Sequence, residues 1–344
     1  MRNIFISFIF LFFAKYTCAL NIDESIKSTI KNNSKVKIAL EKVNESKEII
    51  IFATGSKLPT ITSTISGTYS TADTITTTES TTPETFTDSY KITMKKNIYD
   101  FGLNNLEIER SKIIFNNELI LFKSTIQDLI LDAINGYLTV INYEKSLEAN
   151  KKNYDAVSQA LEETKTRFDL GSATLYDLQN AEASFASAST YLFIAEQNLL
   201  ISKKSFKNIV GLDPINLEDI LEINSYLNAE DFINNSMQNN LDLLLITNDI
   251  KNNEILILKE KKSKKPSLDF TGTGLYSNAG RLENGTENTS GSLALTLTIP
   301  LFQQGQDDSN IRKYQSKILQ SQMKLQDEKA NLEILISHTY KDYK

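Results

Sequence analysis

One pattern constrains this chain more than any other: a unit of helix, strand, polar loop, strand, glycine turn and helix is written twice. Leu58-Pro59-Thr60-Ile61 returns as Lys265-Pro266-Ser267-Leu268. The stretch before each proline is helical in character. Val36, Ile38, Ala39 and Val43 correspond to Leu243, Leu245, Ile246 and Ile250. Further on, Ile98-Tyr99-Asp100-Phe101-Gly102 matches Leu301-Phe302-Gln303-Gln304-Gly305.

The extended segments alternate with period two. Ile61, Ser63, Ile65, Gly67 and Tyr69 share one face, and Thr60, Thr62, Thr64, Ser66 and Thr68 share the other. The return strand puts Phe86, Tyr90, Ile92 and Met94 together. In the second copy, Leu268, Phe270, Gly272, Gly274 and Tyr276 align, and their partner strand aligns Leu293, Leu295, Leu297, Ile299 and Leu301. An apolar face backed by a hydroxyl-rich one over about ten residues is the pattern of a membrane β-barrel strand. A soluble sandwich with one wet face has the same pattern, and the strands alone do not decide between them. The stretches Thr71–Thr85 and Ser277–Ser290 read as polar loops, with a turn at Asn284-Gly285-Thr286.

Between Gly102 and Gly171 nothing interrupts a helical pattern of about 68 residues, or roughly 100 Å at 1.5 Å per residue. Steps of three and four run through Leu119, Phe122, Ile126, Leu129, Ala133, Gly136 and Val140 and onward to Tyr154, Val157, Leu161 and Phe168. A second helix repeats the rhythm in Leu178, Ala181, Phe185, Ala188, Leu192, Ala195, Leu199, Ser202 and Phe206. A sustained 3.5-residue repeat is a coiled-coil seam, and its alanines allow close approach. Gly211 and Pro214 stop the second helix. The fold class read from the pattern is mainly α with a four-stranded β part: two helix–β-hairpin–long-helix repeats, the second with a shorter helical part. The expected domains are a signal peptide (1–19), a first repeat (20–211; β-hairpin about 58–98, helical hairpin about 103–210), a connecting segment (212–240) and a second, truncated repeat (241–344; β-hairpin about 266–302).

The only long apolar run is at the start. Arg2, the stretch Ile4 to Phe13 and Thr17-Cys18-Ala19 form the charged, apolar and small-residue parts of a secretory signal, with cleavage expected after Ala19. Lys15 and Tyr16 stand where a lipobox needs apolar or small residues. Cleavage removes Cys18, the one cysteine, and takes the net charge from −6 to −8 through loss of Arg2 and Lys15. An acidic chain with scattered lysines is a poor nucleic-acid binder. If the chain enters a membrane, it does so as strands. His338 is the only histidine. There is no HExxH, P-loop, dinucleotide glycine motif or Ser-His-Asp set, so no enzyme, cofactor or metal site is expected. Gly272-Thr273-Gly274 lies within a strand and reads as wall packing.

Together these residues resemble the TolC-type outer-membrane efflux proteins. The turn Arg167-Phe168-Asp169-Leu170-Gly171-Ser172-Ala173-Thr174-Leu175-Tyr176-Asp177-Leu178 looks like that family's periplasmic hairpin tip. Ile299-Pro300-Leu301-Phe302 resembles its strand-to-helix junction, which the first copy departs from with Asn97 in place of proline. The resemblance implies a homotrimer with a shared β-barrel in the outer-membrane lipid and a helical tunnel in the periplasm. Ile65, Tyr69, Leu295 and Leu297 would face lipid. The implied role is a passive exit duct of a tripartite efflux or type I secretion system, joined to an inner-membrane transporter by a periplasmic adaptor. Arg167, Leu170, Gly171, Thr174, Leu175 and Asp177 would form the adaptor-docking tip. The family carries a second long hairpin after the second strand pair. In the family a carboxylate at the place of Asp177 helps hold the tip closed through bonds to that hairpin; here about 40 residues follow Gly305 against about 68 before the first tip, so no such bond is expected. The alternatives are a coiled-coil structural or adhesive envelope protein without a pore, or a truncated fragment without function.

Overall fold

The computed structural model describes residues 20–71, 74–75, 80–81, 84–219, 235–281 and 284–343. The expected signal peptide and residues 220–234 of the expected connecting segment lie outside the described residues. Two compact units are present. One takes the described residues up to Ala39 and from Phe122 to Asp219; the other takes Leu40–Leu121 and the described residues from 235 onward.

The first unit is helical. It contains α1 (Ile22–Asn32), most of α3 (Leu103–Asp169) and α4 (Leu175–Val210). Asn21 caps α1, its side chain accepting from the Glu24 amide at 2.8 Å. The seam read from sequence is the packed one. Leu129, Ala133 and Val140 of α3, and Ala188, Ala195, Ser202 and Phe206 of α4, are buried. Further along α3, Asn150, Tyr154, Val157, Leu161, Thr164 and Phe168 are half-buried between exposed neighbours. The Tyr154 and Phe185 rings meet at 5.3 Å between centroids. Tyr137, one place from Gly136 in the predicted seam, is fully buried and anchors the core with Phe206 and Val210. Its hydroxyl lies 2.9 Å from the Leu20 carbonyl oxygen and 2.8 Å from that of Glu218. The last carbonyls of α4 lack helical donors. Side chains of α1 and of its C-cap supply them: Ser28 donates to the Val210 carbonyl at 2.8 Å and Asn33, the cap, to that of Ile209 at 3.0 Å.

The second unit holds the sheet. The strands are β1 (Thr60–Thr71), β2 (Thr74–Ile75), β3 (Ser80–Thr81), β4 (Glu84–Tyr99), β5 (Ser267–Arg281) and β6 (Asn284–Thr298). The four long strands form one antiparallel sheet in the order β1-β4-β5-β6, and β2 pairs with β3. The helices around it are α2 (Ser34–Gly55), which begins in the other unit, the start of α3, α5 (Leu241–Ser263) and α6 (Gln306–Tyr343). Leu243 of α5 packs on Leu332 and Ile336 of α6. Glu107 of α3 binds Lys259 of α5 and, at 3.1 Å, Arg110. Burial pulls the Glu107 carboxyl up, but Lys259 and Arg110 outweigh it and hold the group below the ordinary range.

The duplication is visible in the backbone. At both strand-to-helix junctions two successive residues are left-handed: Phe101 (φ 52°) with Gly102 (φ 82°), and Gln304 (φ 55°) with Gly305 (φ 73°). Only the second of each pair is glycine, so the first carries strain. In the first copy Asp100 holds the junction, accepting from the Gly102 and Asn104 amides at 2.8 Å each. The corresponding helix positions Ser46 and Asn253 are both buried. Each bonds to its own helix, Ser46 to the Val43 carbonyl and Asn253 to the Asp249 carbonyl.

Two boundaries differ from expectation. Ser277–Ser290 is mostly strand rather than loop: β5 and β6 pair in register down to Arg281 and Asn284, so Gly285 lies in a ladder opposite Gly280. Thr and Ser suit a pleated ladder as well as a linker, and polarity alone misled. Ile299 and Leu301 fall beyond the end of β6 at Thr298, where Pro300 cannot donate to a ladder.

Candidate membrane face and hairpin tip

Residues directly opposite each other in an antiparallel sheet point to the same side. Register therefore assigns the faces. The row Ile61–Met94–Gly272–Leu293 lies on one side and the next row, Thr60–Lys95–Thr271–Ala294, on the other. Ile65, Tyr69, Leu295 and Leu297 all share the first side, with Tyr90, Ile92 and Phe270. Thr62, Thr64, Ser66, Ser89, Thr93, Thr273 and Ser292 share the second. No described residue of the four long strands is buried. Ile65 is 71% exposed and Leu295 68%. Neither face is covered by the described residues of this unit, as a soluble sandwich would require of one of them.

On the apolar face, which also carries Phe270 and, nearer the loop end, Tyr69 opposite Phe86, two aromatic levels bracket the leucine rows of β6. Tyr90 and Tyr276 sit opposite each other with ring centroids 6.0 Å apart. Toward the helices, Tyr99 and Phe101 meet at 4.8 Å. The nine steps from Tyr90 to Tyr99 span about 30 Å of strand, or roughly 20–25 Å of height at barrel tilt. That is the separation of the aromatic girdles flanking the apolar band of an outer-membrane barrel. The girdles are a signal that periodicity alone did not bring out. Lys96, one row in from the helix end, is the charged residue within this band, and its long stem lets the ammonium reach the interface. Asn97, which replaces the junction proline, sits at a bulge and donates to Asp269 at 2.8 Å.

The tip between α3 and α4 gathers Arg167, Leu170, Gly171, Thr174, Leu175 and Asp177, all exposed. Its backbone is a Schellman motif: the Ser172 amide donates to the Arg167 carbonyl at 2.8 Å and the Gly171 amide to that of Phe168 at 2.9 Å. Gly171 supplies the left-handed residue (φ 73°), and open space surrounds its missing Cβ. Thr174 then caps α4 in a capping box. Its hydroxyl oxygen accepts from the Asp177 amide at 3.2 Å, and an Asp177 carboxylate oxygen accepts from the Thr174 amide at 2.8 Å. The hydroxyl also lies 2.7 Å from that carboxylate oxygen. The hydrogen bonds from Thr174, with a smaller pull from Arg167, hold the Asp177 carboxyl below its ordinary range. Asp177 is thus tied into the turn itself. The spacing Thr-x-x-Asp was the sequence signal for this. Tyr176, next to Leu175 in the chain, adds a further apolar surface at the tip, 72% exposed.

Among the described residues no group of His, Cys, Asp and Glu could hold a metal ion, and no helix is long and apolar enough to cross a membrane. His338 is exposed on α6.

A sheet of two β-hairpins joined to long paired helices is a fold shared with solved outer-membrane channels. The family model for outer membrane efflux proteins matches residues 25–212, more than half of the chain. This chain belongs to the outer membrane efflux protein family. Outer membrane protein TolC of Vibrio cholerae is 27% identical to it over 202 residues, a match covering 55% of this chain and 45% of that protein. TolC of Escherichia coli is 23% identical over 208 residues, covering 55% and 41%. The chain thus spans about half the length of the curated relatives it matches. In structure it is similar to the Campylobacter jejuni CmeC outer membrane channel, with TM-score 0.73, 16% identity, and 89% of this chain and 67% of that one covered. It is also similar to Vibrio cholerae VceC, with TM-score 0.69, 12% identity, and coverage of 90% and 75%.

Proposed function

We propose that this chain is a subunit of an outer-membrane exit duct, delivered to the envelope by a cleaved leader ending near Ala19 and organised as the two repeats described above. The observation that carries the reading is the sheet with one apolar and one hydroxylated face, both uncovered. Four strands cannot close a barrel, and open edges in lipid leave backbone groups unpaired at several kcal/mol each. β1 and β6 are such edges. Copies of the chain must pool their strands, and three copies bring twelve. Ile65, Tyr69, Leu295 and Leu297 then face lipid, and the Thr and Ser rows line water. The duct is passive. Energy and cargo are delivered by an inner-membrane transporter reached through a periplasmic adaptor, which docks at Leu170, Leu175 and Tyr176 with Arg167 offering charged hydrogen bonds.

The test is planar-bilayer recording of the purified chain. Stable unitary conductance steps from a trimeric species are expected. A soluble monomer that leaves the bilayer silent would support the pore-free stalk instead.

A further inference from the structure

The wet face of the sheet is hydroxylated, but it is not neutral. Between the Thr68 row and the Thr60 row, register brings five rows of four residues to that face. The charged side chains among them are Lys91, beside Thr64 and Leu275, and Lys95, beside Thr60 and Thr271. Both are exposed, and neither takes part in an ion pair among the described residues. Acids of the same strands lie elsewhere. Asp88, Glu84 and Glu287 belong to the apolar face at its loop end, by their pairing with Gly67, Thr71 and Asn278. Asp269 shares the wet face one row beyond Lys95, toward the helices, where the Asn97 amide occupies it at 2.8 Å.

We infer that Lys91 and Lys95 form two cationic rings inside the strand-walled part of the duct and make that segment select for anions. This rests on the proposed pore, because only a closed barrel turns the wet face into a lumen. Each copy contributes the same two lysines, so the rings repeat around the axis four residues apart along β4. A ring of ammonium groups raises the local concentration of anions and repels cations. The reach of that field is a Debye length, about 10 Å at 0.1 M salt, so the preference strengthens as salt is lowered. The cargo class favoured in this segment is anionic: organic acids, sulfated or phosphorylated molecules, or acidic polypeptide segments.

The experiment is reversal-potential measurement across a KCl gradient with the whole protein in a bilayer. The wild type is expected to pass chloride over potassium about twofold or more near 0.1 M salt. Lys91→Gln with Lys95→Gln should bring the ratio near one, and Lys91→Glu with Lys95→Glu should invert it, unitary conductance steps persisting in each. A conducting wild type that prefers potassium, or glutamate variants with an unchanged ratio, overturns the inference while leaving the duct standing. Absence of conductance in the wild type would instead overturn the duct, and this inference with it.

Discussion

At the scale of single residues, the hairpin tip is held by chemistry that can be removed one group at a time. Replacing Thr174 with alanine deletes both its hydroxyl bonds to Asp177, at a cost of about 1 kcal/mol to the start of α4. Faster amide exchange confined to the tip should report it. The carboxyl of Asp177 is held below its ordinary range by the Thr174 bonds. Its contribution is therefore complete above about pH 4, the unfolded value, and is lost as pH falls through the lowered folded value. Tip amide protection should fall with acidification in that window in the wild type, and the pH dependence should vanish in Asp177→Asn. Gly171 differs in kind. A side chain there meets no neighbour, yet φ 73° disfavours any β-branched residue. Gly171→Val should weaken adaptor binding while the oligomer stays intact; unchanged adaptor affinity would count against docking at this turn.

At the scale of elements, the two helices of the first unit depend on small residues at the seam. Ala188 and Ala195 lie seven residues apart and are both buried. Ala195→Leu inserts volume where backbones approach and should cost about 1–3 kcal/mol, read as a lower midpoint in thermal unfolding followed by helical ellipticity. The seam was legible in advance because α3 and α4 keep one period over many turns. Tyr137 was not, since its neighbours Gly136 and Val140 satisfy the repeat without it. Its ring is buried in the core with Phe206 and Val210, and its hydroxyl is satisfied by the Leu20 and Glu218 carbonyls, all of which arrive from distant parts of the chain. The strand faces were equally legible, from alternation alone. Their lengths were not: Ser277–Ser290 is Ser-, Asn- and Gly-rich, a composition that fits a loop, and only pairing to a partner strand makes it a ladder. The left-handed pairs at Phe101-Gly102 and Gln304-Gly305 were half visible, as a repeated glycine. The strain on the preceding residue leaves no mark in sequence.

At the scale of the whole molecule, one arrangement accounts for an apolar face left bare, a hydroxylated face left bare and two unpaired strand edges. Each is a liability in water, where large bare apolar patches and open edges lead to aggregation. In a bilayer the first becomes the stabilising contact, and pooling strands removes the edges. Leu293→Lys, at mid-height on the apolar face, should destabilise the folded barrel in lipid by about 2–4 kcal/mol, measured by denaturant titration in vesicles. Ser292→Lys on the other face should cost far less. Equal costs would mean that the two faces meet the same medium.

The most direct test of that distinction is a scan of single cysteines from Leu293 to Thr298, placed in the chain cleaved after Ala19, which has lost Cys18, and labelled with a polarity-sensitive fluorophore in lipid vesicles. Strict alternation is expected: blue-shifted emission, quenched by lipid-borne quenchers, at 293, 295 and 297, and red-shifted emission, quenched by aqueous iodide, at 294, 296 and 298, which share a face with Ser292. Emission that does not alternate, or iodide access at all six positions, would contradict it.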